Sequence, residues 1–284
     1  MKVSVIIPTF NEQNVIGDCL RSLGKQSYKG LEIIVVDDGS TDKTLGVVRK
    51  IKNQSAGQRM KIKIYEQEHK GPGPARNLGA EKATGDILVF VDSDMAFESS
   101  FIEKLVGPIV EGKTKGTFPL DEKVANWSSW WARMWNLEMV GTDNERRLPL
   151  GYGKKAPVFR AILKKEFDKV GGFEPVGYND DWTLAEKLGY LADGVSGAVV
   201  YHKNPETLKD VWRQAKWVGR RRYKLGSLGK WFALLRASFP ISLIVGLYKS
   251  LKFKKPDFIA FKLLYDLAIF YSLISYIFSD SNAR

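Results

Sequence analysis

DILVFVDSDM, residues 86–95, sets the fold class of this 284-residue chain. Ile87 to Val91 is an unbroken apolar run between two aspartates. A strand with one wet face alternates polar and apolar residues, so this run predicts a strand covered on both faces. Working outward, Val3–Pro8, Glu32–Asp37 and Lys61–Tyr65 are further apolar or β-branched runs, each leading into polar or Gly-rich residues. Helix-like stretches lie between them near Asn11–Leu23, Asp42–Ile51 and Pro74–Ala83. Strand–helix alternation at this spacing predicts an α/β fold, a mostly parallel twisted sheet with helices on both faces. Ligands of such sheets sit beyond the carboxyl ends of the strands.

The polar clusters fall at those ends. The first, PTFNE (Pro8 to Glu12), reads on its own as a strand-to-helix junction with an Asn cap. In VVDDGSTD (Val35 to Asp42), Ser40 or Thr41 would cap the next helix, which leaves the adjacent carboxylates Asp37 and Asp38 unexplained. Acidic residues at such a mouth accept hydrogen bonds from a nucleotide's ribose or base. GPGPARNLG (Gly71 to Gly79) combines glycines that admit a ligand, a proline suited to a first helical turn, and Arg76, whose planar fork can clamp a phosphate. It has neither the GKS/T of a Walker loop nor a GxGxxG spacing, so ATPase and dinucleotide readings lose ground. Finally, Asp92 and Asp94, one residue apart after the buried strand, can share a hard divalent cation, Mg²⁺ or Mn²⁺. A lone DxD is common; as the fourth of an ordered series it carries weight.

Taken together, PTFNE, VVDDGSTD, GPGPARNLG and VDSDM resemble the family 2 glycosyltransferases of the GT-A fold, over roughly residues 1–220. The resemblance implies an inverting transfer from a nucleotide-sugar donor. It implies that Pro8, Thr9, Asn11, Glu12, Asp37, Asp38, Arg76, Asp92 and Ser93 form the donor site, with Asp94 the direct metal ligand and Asp92 in the metal shell. Gly171-Gly172-Phe173 followed by Asn179-Asp180-Asp181-Trp182 matches the family's Gly-Gly-Phe turn and acidic pair. That alignment implies catalytic roles for Asp180 and Asp181, with Asp181 the general base, although Asp180 stands where the family usually has Glu. Capping of a helix is the alternative for both. His202 matches an extra metal ligand of some members, or is a hydrogen-bonded residue at a strand end. Gln214-Ala215-Lys216-Trp217 resembles the Gln-x-x-Arg-Trp motif of processive members, one residue short and with Lys for Arg, so processivity is not inferred. Trp182, Gln214 and Trp217 are the expected acceptor contacts.

Composition narrows the rest. With 44% hydrophobic and 27% charged residues the chain buries a core. A single cysteine, Cys19, excludes an intramolecular disulfide framework, and two histidines leave little room for a His-rich zinc centre. The net charge of +12 is unevenly placed: residues 1–200 hold 28 Lys+Arg against 27 Asp+Glu, and residues 201–284 hold 16 against 5. Tryptophans 127, 130, 131 and 135 fall on one face of a helix expected over Val124–Val140, lining an acceptor groove, resting at a membrane or packing on the sheet.

Beyond Pro205–Leu225, read as an amphipathic basic helix, Trp231–Tyr248 is apolar around Pro240, and Phe258–Phe278 carries only Lys262 and Asp266 as charges, spaced to pair. At about 1.5 Å per residue the last run reaches across a bilayer core of roughly 30 Å, or lies in its interface. Basic residues beside apolar runs point to an anionic membrane surface and not to nucleic acid, with a helical cap or dimer contact of a soluble enzyme as the remaining reading. The N-terminus lacks the h-region of a signal peptide. The expected organisation is a glycosyltransferase domain over 1–225, divided into a nucleotide-sugar half (1–95) and an acceptor half (96–225), and a membrane-associated segment over 226–284. The expected place is the cytoplasmic face of the cell membrane, and the expected acceptor is lipid-linked or a glycan. A soluble nucleotidyltransferase or a non-catalytic nucleotide-sugar binder is the alternative; the former usually opens with a basic, Gly-rich loop that Pro8–Glu12 replaces poorly.

Overall fold

The computed structural model describes residues 1–54, 61–148, 153–176, 180–221, 223 and 225–278. Asn179, Arg222 and Lys224, which the sequence motifs include, lie outside them. From the N-terminus, β1 (Val3–Thr9), α1 (Ile16–Gly24), β2 (Leu31–Asp37), α2 (Thr44–Gln54), β3 (Lys61–Glu66), α3 (Pro72–Lys82) and β4 (Ile87–Phe90) alternate as expected. There follow β5 (Met95–Phe97), α4 (Phe101–Val110), β6 (Gly116–Val124) and α5 (Trp130–Val140). Next come β7 (Lys155–Ala156), β8 (Ala161–Leu163), α6 (Lys164–Lys169), α7 (Asp180–Leu188) and β9 (Ala192–His202). The remaining elements are α8 (Leu208–Gly219), α9 (Gly226–Arg236), α10 (Phe239–Phe253) and α11 (Phe258–Phe278).

Two compact units result, one of Met1–Lys123, Leu150–Pro175 and Asp180–His202, the other of Val124–Pro149, Val176–Asn179 and Lys203–Arg284. The boundary expected at residue 225 falls inside the second unit.

The first unit is built on a mixed sheet of order β3-β2-β1-β4-β8-β6-β9-β5, with β7 on β9. Strands β3, β2, β1 and β4 are parallel, in register as Ile6 beside Ile34 and Phe90. From β4 onward the pairing turns antiparallel, β8 returning along β4 and β5 lying along β9. The apolar runs are covered on both faces: Val3, Val5 and Ile7 join one core, with Ile16 and Leu20 of α1, while Ile6, Ile34 and Phe90 join the other. Each fully buried Val or Ile contributes roughly 1.5–3 kcal/mol, so both layers hold the strands. Helix α3 lies close on the sheet because Gly79 has no side chain; a Cβ there would overlap Ile6 and press on Val36.

The second unit is helical. Trp130, Trp131 and Trp135 pack on Phe261 and Tyr265 of α11, which answers what the tryptophan face meets: a helix of its own unit. Trp127 precedes α5, because Ser129 caps that helix by accepting from the Ala132 N–H at 3.4 Å. The apolar stretch around Pro240 is two helices, bent by 64°, with Pro240 in the first turn of α10 where its missing N–H costs nothing. Small residues let the helices close on α11: Gly246 faces Ile259 and Lys262, and Gly219 faces Ser272, whose Oγ donates to the Lys216 carbonyl at 2.8 Å.

One buried carboxylate ties the parallel strands together. Glu32 on β2 accepts from Ser4 Oγ on β1 (2.6 Å), the Thr84 N–H before β4 (2.9 Å) and Lys63 Nζ on β3 (2.5 Å). Burial would raise its pKa, but the hydrogen bonds from Lys63, Ser4 and Thr84 outweigh this and hold it at about 2. A folded pKa below the unfolded one stabilises the fold above the unfolded value, and the contribution fades as pH falls toward 2. Glu32→Ala should therefore lower the unfolding free energy at neutral pH by about 2–4 kcal/mol and flatten its loss in acid, read by urea unfolding across a pH series.

Candidate active site

The strand ends carry the sequence clusters to one place. Thr9 closes β1, Asp37 closes β2, and Asp92, Ser93 and Asp94 follow β4. Buried polar atoms are normally hydrogen-bonded, so exceptions call for a ligand or another reason. Six buried side-chain polar atoms lack a partner among the described residues, and three of them are Thr9 Oγ1, Asp37 Oδ1 and Asp94 Oδ1.

Other members of the clusters brace the loops. Asn11, in the left-handed region at φ 56°, accepts the Thr41 N–H at 2.8 Å and donates its own N–H to Ser40 Oγ at 2.9 Å. Glu12 donates its N–H to Thr44 Oγ1 at 2.8 Å. Asp37 Oδ2 accepts from the Ser40 N–H at 2.9 Å. At the start of α2 the Asp42 carboxylate accepts the Thr44 N–H at 2.8 Å, while Ser40 Oγ and the Thr41 N–H bond Asn11. Asp38 is enclosed: its carboxylate accepts from Gln67 Nε2 and the N–H groups of Lys70 and Gly71 at 2.7–2.8 Å, and lies 2.8 Å from His69. It holds the loop that leads into α3.

Helix α3 presents Arg76 to the centre of the unit. Its Nη1 donates to both oxygens of Asp180 (2.9 and 3.0 Å) and its Nη2 to Asp92 Oδ1 (2.8 Å). Arg160, at the start of β8, binds the other Asp92 oxygen at 3.0 Å. Partial burial would raise the Asp92 pKa, but Arg160 and Arg76 hold it well below the usual carboxylate range. Asp180 goes the other way: burial pushes it up to about 6 against the pull of Arg76, with Asp181 and Asp92 adding to the rise. Burial also raises Asp181, against Arg160 and Arg76. The Asp181 carboxylate makes no side-chain hydrogen bond among the described residues.

Strand β9 brings His202 opposite Met95, beside Asp94. Its Nε2 lies 3.1 Å from Asp94 Oδ2 and its Nδ1 2.8 Å from Glu122 Oε1, so Glu122 orients the ring. Asp94 Oδ1, buried and without a partner, and the imidazole nitrogen form a donor pair suited to Mn²⁺ or Mg²⁺. Among the described residues no group of three His, Cys, Asp or Glu stands ready for a metal. A pair fits a cation that takes its other ligands from substrate phosphates. Asp92 is held by its two arginines.

Trp182 is exposed on α7, while Gln214 and Trp217, the latter also exposed, are on α8 of the helical unit. Sequence patterns missed Arg160 and Glu122. Arg160 stands just before β8 and Glu122 lies on β6 between Asp121 and Lys123, and neither stretch has a recognisable motif.

Residues 4–171 match the model of glycosyl transferase family 2. An uncharacterized glycosyltransferase of Haemophilus influenzae is 36% identical over 182 residues, covering 63% of this chain and 68% of that protein. TarS of Staphylococcus aureus, a poly(ribitol-phosphate) β-N-acetylglucosaminyltransferase, is 43% identical over 96 residues, 33% of this chain but only 16% of TarS. Its 1–349 fragment with UDP superposes with a TM-score of 0.56 at 19% identity, covering 100% of this chain and 93% of that one. The mannosyltransferase PcManGT of Pyrobaculum calidifontis, in complex with GDP-Man and Mn²⁺, superposes with a TM-score of 0.65 at 20% identity, covering 99% and 88%. At such identity the structural likeness is one of fold, the GT-A-like mixed sheet. The matched family model spans most of the sheet-bearing unit and all four strand-end clusters, and the chain belongs to glycosyl transferase family 2.

Proposed function

We propose that the chain transfers a sugar from a nucleoside diphosphate sugar to an acceptor hydroxyl or lipid phosphate, with inversion and with Mn²⁺ or Mg²⁺. The observation that carries the reading is the set of unpartnered oxygens on Thr9, Asp37 and Asp94 at the carboxyl ends of β1, β2 and β4. The nucleotide ligands named for TarS and PcManGT support the donor class.

Thr9 and Asp37 bind the nucleoside, and Ser93 borders it. Pro8, Asn11, Glu12 and Asp38 keep the two loops in place. Asp92 and Asp180 aim Arg76, whose charge stabilises the departing diphosphate. Asp94 and His202 hold the metal, which when bound supplies further positive charge to that leaving group. The acceptor attacks the anomeric carbon from the opposite side, and Asp181 takes the proton of an acceptor hydroxyl. A lipid phosphate is already ionised near neutral pH, and with it Asp181 only positions the acceptor. Trp182, Gln214 and Trp217 offer stacking and hydrogen-bonding surfaces for the acceptor.

Attachment to the cytoplasmic face of a membrane is the second part of the proposal. α11 is the one described helix long and apolar enough to cross a membrane, or one of two if α9 and α10 count as a bent span. The stronger support is exposed: Leu228, Trp231, Phe232, Leu235, Phe239, Ile244 and Leu251 of α9 and α10 face outward. A contiguous apolar face of this kind beside a basic segment suits insertion into an anionic interface.

Asp94→Ala should reduce turnover roughly a hundredfold or more with any acceptor, measured as donor consumption across a Mn²⁺ titration; full metal-dependent turnover would remove the metal assignment. Asp181→Asn should lower kcat toward a hydroxyl acceptor by about 10²–10⁴. The base works ionised, so the wild-type rate should climb with pH through a pKa above the ordinary aspartate range, and this limb should vanish in the variant. An unchanged rate would mean a phosphate acceptor or another base. On cell fractionation the chain should stay with membranes through a high-salt wash and leave in detergent; recovery in the soluble fraction would defeat the membrane placement.

A further inference from the structure

The helical unit holds a half-open cavity of about 390 Å³ between α5, α8, α9 and α11. Glu138, Lys262 and Asp266 line it and, with Lys249, form a set of paired charges. Glu138 accepts from Lys249 at 2.6 Å and from Lys262 at 2.8 Å, and Lys262 also donates to Asp266 at 2.9 Å. Two carboxylates meet two ammonium groups, so the set is balanced in charge, with Asp266 Oδ2 alone making no hydrogen bond among the described residues.

Arg221 and Arg236 line the same cavity and differ from that set. Neither has a carboxylate partner among the described residues. Arg221 is half-buried with its guanidinium 5.2 Å from the Tyr223 ring centroid, and Arg236 is exposed. Two guanidiniums without carboxylates favour a phosphate, whose oxygens match their planar forks. Val218, Phe232 and Ile269 make the remaining wall apolar, and Phe232 continues into the exposed face of α9. A free phosphate would leave that wall unused, and a simple hydrocarbon would leave the arginines unmatched.

We propose that this cavity binds the head of a phosphate-bearing lipid, the phosphate on Arg221 and Arg236 and the first methylenes against Phe232, Val218 and Ile269. The proposal deepens the membrane placement above and rests on it only for the source of the lipid. The site lies within the helical unit and uses none of the residues assigned to donor or metal.

Calorimetry on the full chain tests it with monodecyl phosphate below its micelle concentration, and with inorganic phosphate and 1-decanol as probes of each half. Monodecyl phosphate should bind one to one, and each partial probe about tenfold or more weaker. Arg221→Gln with Arg236→Gln should weaken monodecyl phosphate by about tenfold or more at an unchanged melting temperature, since neither arginine supports the buried charge set. Phe232→Ser should weaken it while sparing inorganic phosphate. Equal binding of inorganic phosphate, equal binding of decanol, or indifference to the arginine pair would each overturn the site. Flotation with vesicles of phosphatidylcholine and anionic phosphatidylglycerol separates the two readings. Lost flotation with intact monodecyl phosphate binding removes the membrane placement alone, and flotation without that binding removes the lipid site alone.

Discussion

The sheet-bearing unit depends on one buried cation. Arg76 is joined to Asp92 beyond β4 and to Asp180 at the start of α7, three segments that are far apart in sequence. Taking a guanidinium out of water is expensive, and attraction repays it only when its donors are matched with good geometry. Burial would lower the Arg76 pKa, but Asp92, Asp180 and Asp181 more than reverse it, so the group stays charged. Loss of any one carboxylate leaves charge stranded in the interior. The close fit shows at Gly73, where a Cβ would come within 2.9 Å of Asp180 Oδ2. Glycines in the GPGPARNLG stretch thus serve two contacts, α3 against the sheet through Gly79 and α3 against α7 through Gly73.

The same cation sorts the two acidic neighbours. Asp180 lends both oxygens to Arg76, while Asp181, next along the first turn of α7, keeps its carboxylate out of that pairing. Adjacent aspartates therefore meet different demands, one fixing an arginine and one standing outside that pairing. Raised pKa values for both follow from burial first. A helix N-terminus favours anionic carboxylates, but capping alone does not account for the pairing of Asp180 with Arg76.

The parallel half of the fold was legible in the sequence because its signal is local. Continuous apolar runs mark strands covered on both faces, and helical periods separate them. The four clusters were legible for the same reason: each lies at or follows the end of a strand, three of them leading into or opening a helix and VDSDM leading from β4 to β5. Legibility failed where residues meet through distant pairing. Arg160 and Glu122 reach Asp92 and His202 because β8, β6 and β9 run antiparallel through the sheet, and no local pattern records that register. It failed again where several hydroxyls and carboxylates compete within one turn. Ser40, Thr41 and Asp42 are all good caps; Asn11, arriving from the loop after β1, bonds Ser40 Oγ and the N–H groups of Thr41 and Asp42, and the Asp42 carboxylate turns to the Thr44 N–H of α2.

Helix α11 shows how composition and packing divide the information about a hydrophobic run. Its 21 residues meet the length and apolarity of a membrane span. Phe258, Phe261, Ala268 and Leu273 are nevertheless buried in the core of the helical unit, under α5, α8 and α10. The charged pair foreseen on one face, Lys262 and Asp266, is real and buried, and Glu138 and Lys249 complete it. A buried lysine is tolerable only with such partners, because its charge would otherwise meet hydrocarbon. Charges that look like blemishes in a membrane span are thus the fixed points of a helical core. Exposed apolar side chains lie on α9, which has no buried residue, and on the outer face of α10, with Leu267 and Tyr271 exposed on α11 itself. Hydropathy alone ranks α11 first as an apolar surface, whereas packing buries much of that helix and leaves α9 and the outer face of α10 more exposed.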